Sequence, residues 1–174
     1  MKAAPLVTLC PTEAHDLPLV TAWERHPDNS AFVEVWPSER HRTALADPEM
    51  VHMMVETEGD PVGFVILAGL GGARPVVEFR RIVVADKGHG IGQAAVARVV
   101  RYAFDELEAA EVWLDFAVHN ARAAHVYSKC GFRIDSSAEL WAKIDGKRTR
   151  LVKMTTTRTG TPDGTDPTAT GIDS

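Results

Sequence analysis

The span 76–132 constrains this chain most, because it reads strand, glycine loop, helix, strand and helix without interruption. Residues 76–84 are a valine-rich run, and Val96, Val99, Val100, Ala103, Phe104 and Leu107 recur at helical spacing across 93–108. Residues 112–118 then alternate, with Val112, Leu114, Phe116 and Val118 on one side and Trp113, Asp115 and Ala117 on the other. A strand, helix and strand joined in this way form a parallel, right-handed crossover. The sheet must therefore contain at least one parallel pair.

The loop inside that crossover carries Gly88, Gly90 and Gly92 directly after Lys87. Without a Cβ, glycine reaches positive φ and lets a ligand approach the main chain. Successive N–H groups ahead of a helix, with its positive end behind them, make a seat for a diphosphate. A nucleotide-like cofactor is expected here. A phosphate loop ending in Gly-Lys-Ser/Thr is excluded, because Gln93, Ala94 and Ala95 follow the last glycine. A dinucleotide fingerprint is met formally by Gly90, Gly92 and Ala95, with Asp115 about 20 residues on. Its context is poor: half the chain precedes the loop, and Asp115 lies inside a strand pattern.

Upstream, residues 7–10 can open the sheet, and a helix containing Leu17, Val20 and Trp23 follows, with Pro18 near its start. Ser38 suits the N-cap of a second helix running to Ala46, where Asp47-Pro48 stops it. Apolar runs at 50–57 and 62–70 flank Glu58-Gly59-Asp60-Pro61, which is hairpin punctuation. Downstream, Asn120 suits an N-cap, Gly131 a left-handed helix end, and Asp145-Gly146 a type I′ turn joining 140–144 to 147–154. Residues 1–154 read as one domain. Residues 155–174 are mostly Thr, Gly, Pro and Asp with Ile172 as the one large apolar side chain, and read as a disordered tail.

The net charge of -5 argues against a nucleic-acid partner. No run of eighteen apolar residues and no signal-peptide pattern occurs, so no membrane partner and a cytoplasmic location are expected. Cys10 and Cys130 lie far apart and the seven histidines show no ligand spacing, so no metal is expected.

After the strand at 112–118 come His119, Asn120, Ala123, Ala124, Tyr127, Gly131 and Phe132. Together with Lys87-Gly88-His89-Gly90-Ile91-Gly92, this order of motifs resembles the GCN5-related N-acetyltransferases, with lysine in place of the usual first Gln or Arg. The resemblance spans roughly residues 6–154 and leans towards the branch of ribosomal-protein N-terminal and polyamine acetyltransferases. It implies the α/β acyltransferase fold: an antiparallel N-terminal meander, a βαβα unit and a C-terminal hairpin. It also implies acetyl-CoA as co-substrate, a small-molecule amine or protein N-terminus as acceptor, and a possible homodimer.

By the same resemblance, the main chain of Ile82 and Val84 pairs with the pantetheine arm, and the Val83 N–H region polarises the acetyl carbonyl. Lys87, Gly88, His89, Gly90, Ile91 and Gly92 cradle the diphosphate, and Asn120, Ala123 and Tyr127 line the cofactor. Tyr127 would return a proton to the departing thiolate. The base is open: Glu78 comes first, as an acid in an apolar strand that could also pair with Arg80 or Arg81; Asp115 is second and His119 third. Trp23, Glu24, Asp28, Phe32, Glu34 and Trp36 suit a cationic acceptor through charge and cation–π contact. A silent acyl-CoA sensor and an NAD(P)-dependent oxidoreductase are the competing readings.

Overall fold

The computed structural model describes residues 3–160. One sheet runs through it, in the order β1 (Thr8–Pro11), β2 (Met50–Thr57), β3 (Asp60–Ala68), β4 (Val76–Val84), β5 (Glu111–Ala117), β8 (Lys147–Thr156) and β6 (Arg133–Ile134), with β7 (Leu140–Ile144) also paired to β8. The β4–β5 pair is parallel and every other pairing is antiparallel. This arrangement excludes a doubly wound dinucleotide fold, whose sheet is mostly parallel and carries its glycine turn after the first strand.

Two apolar layers sandwich the sheet. On one face α4 (Ile91–Asp105) and α5 (Ala121–Lys129) bury Val96, Val99, Val100, Phe104 and Tyr127 against Val65, Leu67, Val77, Phe79, Val112 and Leu114. On the other, α1 (Leu17–Arg25) and α3 (Ser38–Ala46) set Val20 and Ala44, with Trp36, against Met54, Phe64, Ile66 and Val83. Burial of each such Val, Leu or Phe contributes about 1.5–3 kcal/mol.

A bulge lets one strand serve both layers. The β3–β4 register runs Ile66↔Arg81 and then Leu67↔Phe79, so Arg80 is the extra residue. One inserted residue reverses which face each later side chain takes. Accordingly Val77 and Phe79 pack under α4, whereas Arg81 is buried on the face of α1, where Val83 packs.

Several boundaries differ from the sequence reading. Ser38 is the first helical residue rather than the cap, and Pro37 holds the cap position. The first hairpin turns on Glu58 and Gly59 alone, both at positive φ, so β3 begins at Asp60 and takes in Pro61, next to a bulge at Val62. A short helix, α2 (Pro27–Ser30), has no counterpart in the sequence reading. The C-terminal strand reaches Thr156, which pairs with Val112. Arg158 then bonds Asp105 at the end of α4. The tail expected from residue 155 therefore begins as strand, and its part from 161 onwards lies outside the described residues.

Candidate active site

The parallel ladder between β4 and β5 has three rungs, Val76↔Glu111, Val77↔Val112 and Glu78↔Trp113, and then stops. Beyond it β4 stays paired to β3, and β5 to β8, so the two strands diverge. Ala85 N–H donates to the Val62 carbonyl at 2.8 Å. By antiparallel alternation Val83 then bonds Phe64, while Ile82 and Val84 turn their N–H and C=O groups towards the opening. Gly63 fits this phase, because a Cβ there would strike the Val83 carbonyl oxygen. Ile82 and Val84 thus keep main-chain groups open to a ligand. The Val83 N–H does not: it is committed to β3 and cannot polarise an acetyl carbonyl.

The glycine loop follows at the mouth of this opening. Gly88 and Gly90 have φ of +91° and +76°, the left-handed region that favours glycine. The first N–H of α4 to bond back is that of Ala94, to Gly90 at 3.1 Å. Among the described residues, the N–H groups of Gly88, His89, Gly90, Ile91, Gly92 and Gln93 have no acceptor. A Cβ on Gly88 or Gly92 would meet open space, so the donors face room enough for a ligand. The loop fits a diphosphate. The two polar side chains beside it are engaged elsewhere: His89 lies 3.2 Å from Asp86, and Lys87 donates to the Asp28 carbonyl at 2.6 Å. The expected phosphate contact of the Lys87 side chain is therefore replaced by a bond to α2. Arg122, in the first turn of α5, faces Lys87 closely enough to help burial lower its pKa. The sequence motifs gave no cue to Arg122.

Where the ladder ends, Glu78 and Asp115 come together on the face that α1 and α3 leave open. Arg80 reaches Glu78 at 2.5 Å, the pairing named above as an alternative for that acid. The Asp115 carboxylate has no hydrogen bond among the described residues, and burial together with the Glu78 charge raises its pKa above the usual carboxylate value. Trp113 stands beside them with Lys153 at 5.1 Å from its ring. Tyr127 approaches from the helical side, its ring buried between Phe116 and Phe132 at 5.6 and 5.9 Å. Burial, then the nearby Asp115 charge, drive its pKa up, so the phenol remains a proton donor. Asp115 and Tyr127 thus flank one opening from opposite faces. His119 is exposed at the rim and packs on Phe32 at 5.2 Å.

Asn120 caps α5, its Oδ1 accepting from Ala123 N–H at 3.1 Å. That bond occupies the Ala123 donor and leaves the Asn120 amide nitrogen without an acceptor among the described residues.

The segment 23–36 divides. Asp28 and Glu34 are exposed and Phe32 is half-buried, as an acceptor-binding role needs. Glu24 and Trp36 are buried and are not available to an acceptor. Glu24 binds Arg81, Trp36 N–H at 2.9 Å and His41 at 3.0 Å, and the Trp36 ring lies between Arg40 and Arg81 at 4.0 and 4.4 Å. His41 continues to His52 at 3.2 Å, and His52 to Thr12 at 2.8 Å. Sequence inspection missed this cluster because its members are spread over residues 12–81 and share no motif. The one available signal was Arg81, a charged residue within an apolar strand.

Cys10 and Cys130 have pKa values pushed up to about 11, chiefly by burial, so neither is an activated nucleophile. Among the described residues no three His, Cys, Asp or Glu side chains could hold a metal ion, and no helix is long and apolar enough to cross a membrane.

Comparison with known proteins agrees with this geometry. The model of the acetyltransferase (GNAT) family matches residues 18–132. The chain is 26% identical over 165 residues to spermidine N(1)-acetyltransferase of Escherichia coli (strain K12), covering 88% of this chain and 87% of that protein. It is 31% identical over 117 residues to the protein of the same name from Vibrio cholerae serotype O1, covering 66% and 65%. In fold it is similar to the crystal structure of spermidine N-acetyltransferase from Vibrio cholerae in complex with CoA and spermine. The TM-score is 0.76 at 22% identity, over 88% of this chain and 96% of that one.

Proposed function

From the premise that this chain belongs to the acetyltransferase (GNAT) family and moves an acetyl group from acetyl-CoA to an amine, we propose that its acceptor is a polyamine, deprotonated by Asp115. The observation that carries the reading is the pair of carboxylates, Glu78 and Asp115, at the end of the β4–β5 ladder. Glu78 is paired with Arg80, so a cationic amine is drawn to the unpaired Asp115 carboxylate, which, its pKa raised, is the better matched to take up the proton. The names of the relatives support the same class of acceptor.

When bound, acetyl-CoA supplies a thioester carbonyl. The N–H groups of Gly88 to Gln93 hold the diphosphate end, and Ile82 and Val84 hold the arm by main-chain pairing along the open edge of β4. An N–H of this open edge not taken by the arm would stabilise the charge that develops on the acetyl oxygen; one such donor lowers the barrier by about 3 kcal/mol. Asp115 takes the amine proton from the open face. Tyr127 donates its hydroxyl proton to the sulfur from the helical side. Both cysteines stay outside the reaction, and transfer is direct.

The test is a panel of spermidine, spermine, a diamine, an aminoglycoside and a peptide N-terminus, with acetyl-CoA saturating and thiol release and acetylated product both measured. The reading expects kcat/KM for spermidine or spermine to exceed that for the peptide by at least about 100-fold, or about 3 kcal/mol. A preference for the peptide would overturn it.

A further inference from the structure

The chain Thr12, His52, His41, Glu24, Arg81 is the largest buried polar feature outside the reaction site. It links β1 and β2 to α3, α1 and β4. Glu24 and His41 are wholly inaccessible, His52 is 5% exposed and Arg81 8%. Its protons can be ordered from the carboxylate outwards. An ionised Glu24 only accepts, so His41 must donate from Nε2, leaving Nδ1 to accept from His52 Nε2–H, and His52 Nδ1 to accept from the Thr12 hydroxyl. Every member is then satisfied.

The position of this chain in the fold gives it a consequence for catalysis. Arg81 follows the bulge residue Arg80 and precedes Ile82, the first residue whose main chain opens towards the cofactor arm. On the carboxylate of Glu24 converge the Arg81 guanidinium and the Trp36 main-chain N–H, the far end of the acceptor-side segment. The same carboxylate therefore holds the bulged strand in phase and roots the segment that carries Asp28, Phe32 and Glu34.

We propose that Glu24, with Arg81, is a positioning residue for acyl transfer: the buried pair sets the line of the Ile82 and Val84 main-chain groups and fixes the acceptor segment to the same point. The assignment rests on the reading that β4 pairs with the pantetheine arm. A buried pair of this kind contributes little net stability when exchanged for neutral groups of similar shape, so its effect on function can be separated from its effect on folding.

The experiment uses Glu24→Gln combined with Arg81→Met. The amide that replaces the Glu24 carboxylate can still accept from Trp36 N–H through its oxygen. The same oxygen, in the place of Oε2, still accepts from His41 Nε2–H, so the His41, His52 and Thr12 bonds keep their direction, and the amide nitrogen takes the Oε1 place that faced Arg81. Binding of acetyl-CoA and of 3′-phosphoadenosine 5′-diphosphate (3′-phospho-ADP), which keeps the diphosphate and lacks the arm, is measured by calorimetry alongside kcat. The expected result is a folded protein whose acetyl-CoA dissociation constant rises about tenfold. Binding of 3′-phospho-ADP to the glycine loop stays within about twofold, and kcat falls at least about tenfold. Unchanged acetyl-CoA affinity and kcat, or equal weakening of both ligands, would overturn the proposal. If the double variant does not fold, Arg81→Lys answers the same question, since it keeps the charge but loses the fork. Wild-type acetyl-CoA binding no tighter than 3′-phospho-ADP binding would instead reject the pairing of β4 with the arm.

Discussion

Glu78 on β4 stands opposite Trp113 on β5, and that pair is the last rung of the only parallel ladder among the described residues. Two residues further along β5, Asp115 looks across a gap in place of a partner strand, and its pairing is with Lys153 on the far side. The chemistry follows from where the ladder ends. A longer ladder would occupy the N–H and C=O groups of Ile82 and Val84 and close the space in which an amine and a thioester can meet.

Glu78→Gln separates the roles of the two acids. Asp115 has a raised pKa partly because Glu78 is charged, and the base must be ionised to work, so the rate rises with pH as Asp115 loses its proton. Removing the Glu78 charge lowers the Asp115 pKa. The acid limb of the kcat profile should move to lower pH while its plateau keeps most of its height. A collapsed plateau would make Glu78 the base.

Tyr127→Phe should lower kcat about 100-fold. It should hardly move the thermal midpoint, because the ring retains its contacts with Phe116 and Phe132. The raised pKa of the phenol means the wild type should show no alkaline loss from this group near its ordinary value of 10. Such a loss, present in the wild type and absent from the variant, would contradict the assignment.

His41 and His52 make stability pH-dependent. Burial lowers both from 6.5 to about 4, so both are neutral in the folded protein while the unfolded chain gains protons. Their contribution is complete above pH 6.5 and is lost as pH falls towards 4, by up to about 3 kcal/mol for each. Thermal midpoints measured between these limits should fall steeply in the wild type and less steeply in His52→Gln.

Much of the fold was legible in the sequence because its signals are local. The strand Val76–Val84, the helix from Ser38 to Ala46 and the turn at Asp145-Gly146 each follow from a run of side chains with its own stop signal. The insertion of β8 between β5 and β6 is set by long-range pairing and left no local trace. The loop glycines and Tyr127 could be found as motifs. The bulge at Arg80, the alternation that turns Val83 away and the burial of Glu24 could not, since each depends on which strand lies alongside.

Gly88→Ala should weaken acetyl-CoA without unfolding the protein. There is room for a methyl group, but φ of +91° costs a residue with a Cβ about 1–2 kcal/mol. If the loop shifts to relieve that strain, calorimetry should record a dissociation constant about tenfold higher. Unchanged affinity would mean that the diphosphate does not rest on this backbone.

Asp115→Asn tests the central claim most directly, with kcat measured at saturating acetyl-CoA and spermidine and acetyl-CoA affinity measured on the same protein. Because Asp115 has a raised pKa in the folded state, its ionised form costs stability once pH rises through that value, so the variant should be no less stable at neutral pH. The account predicts unchanged acetyl-CoA binding and a kcat lower by about 10²- to 10⁴-fold. A wild-type kcat in Asp115→Asn would contradict it.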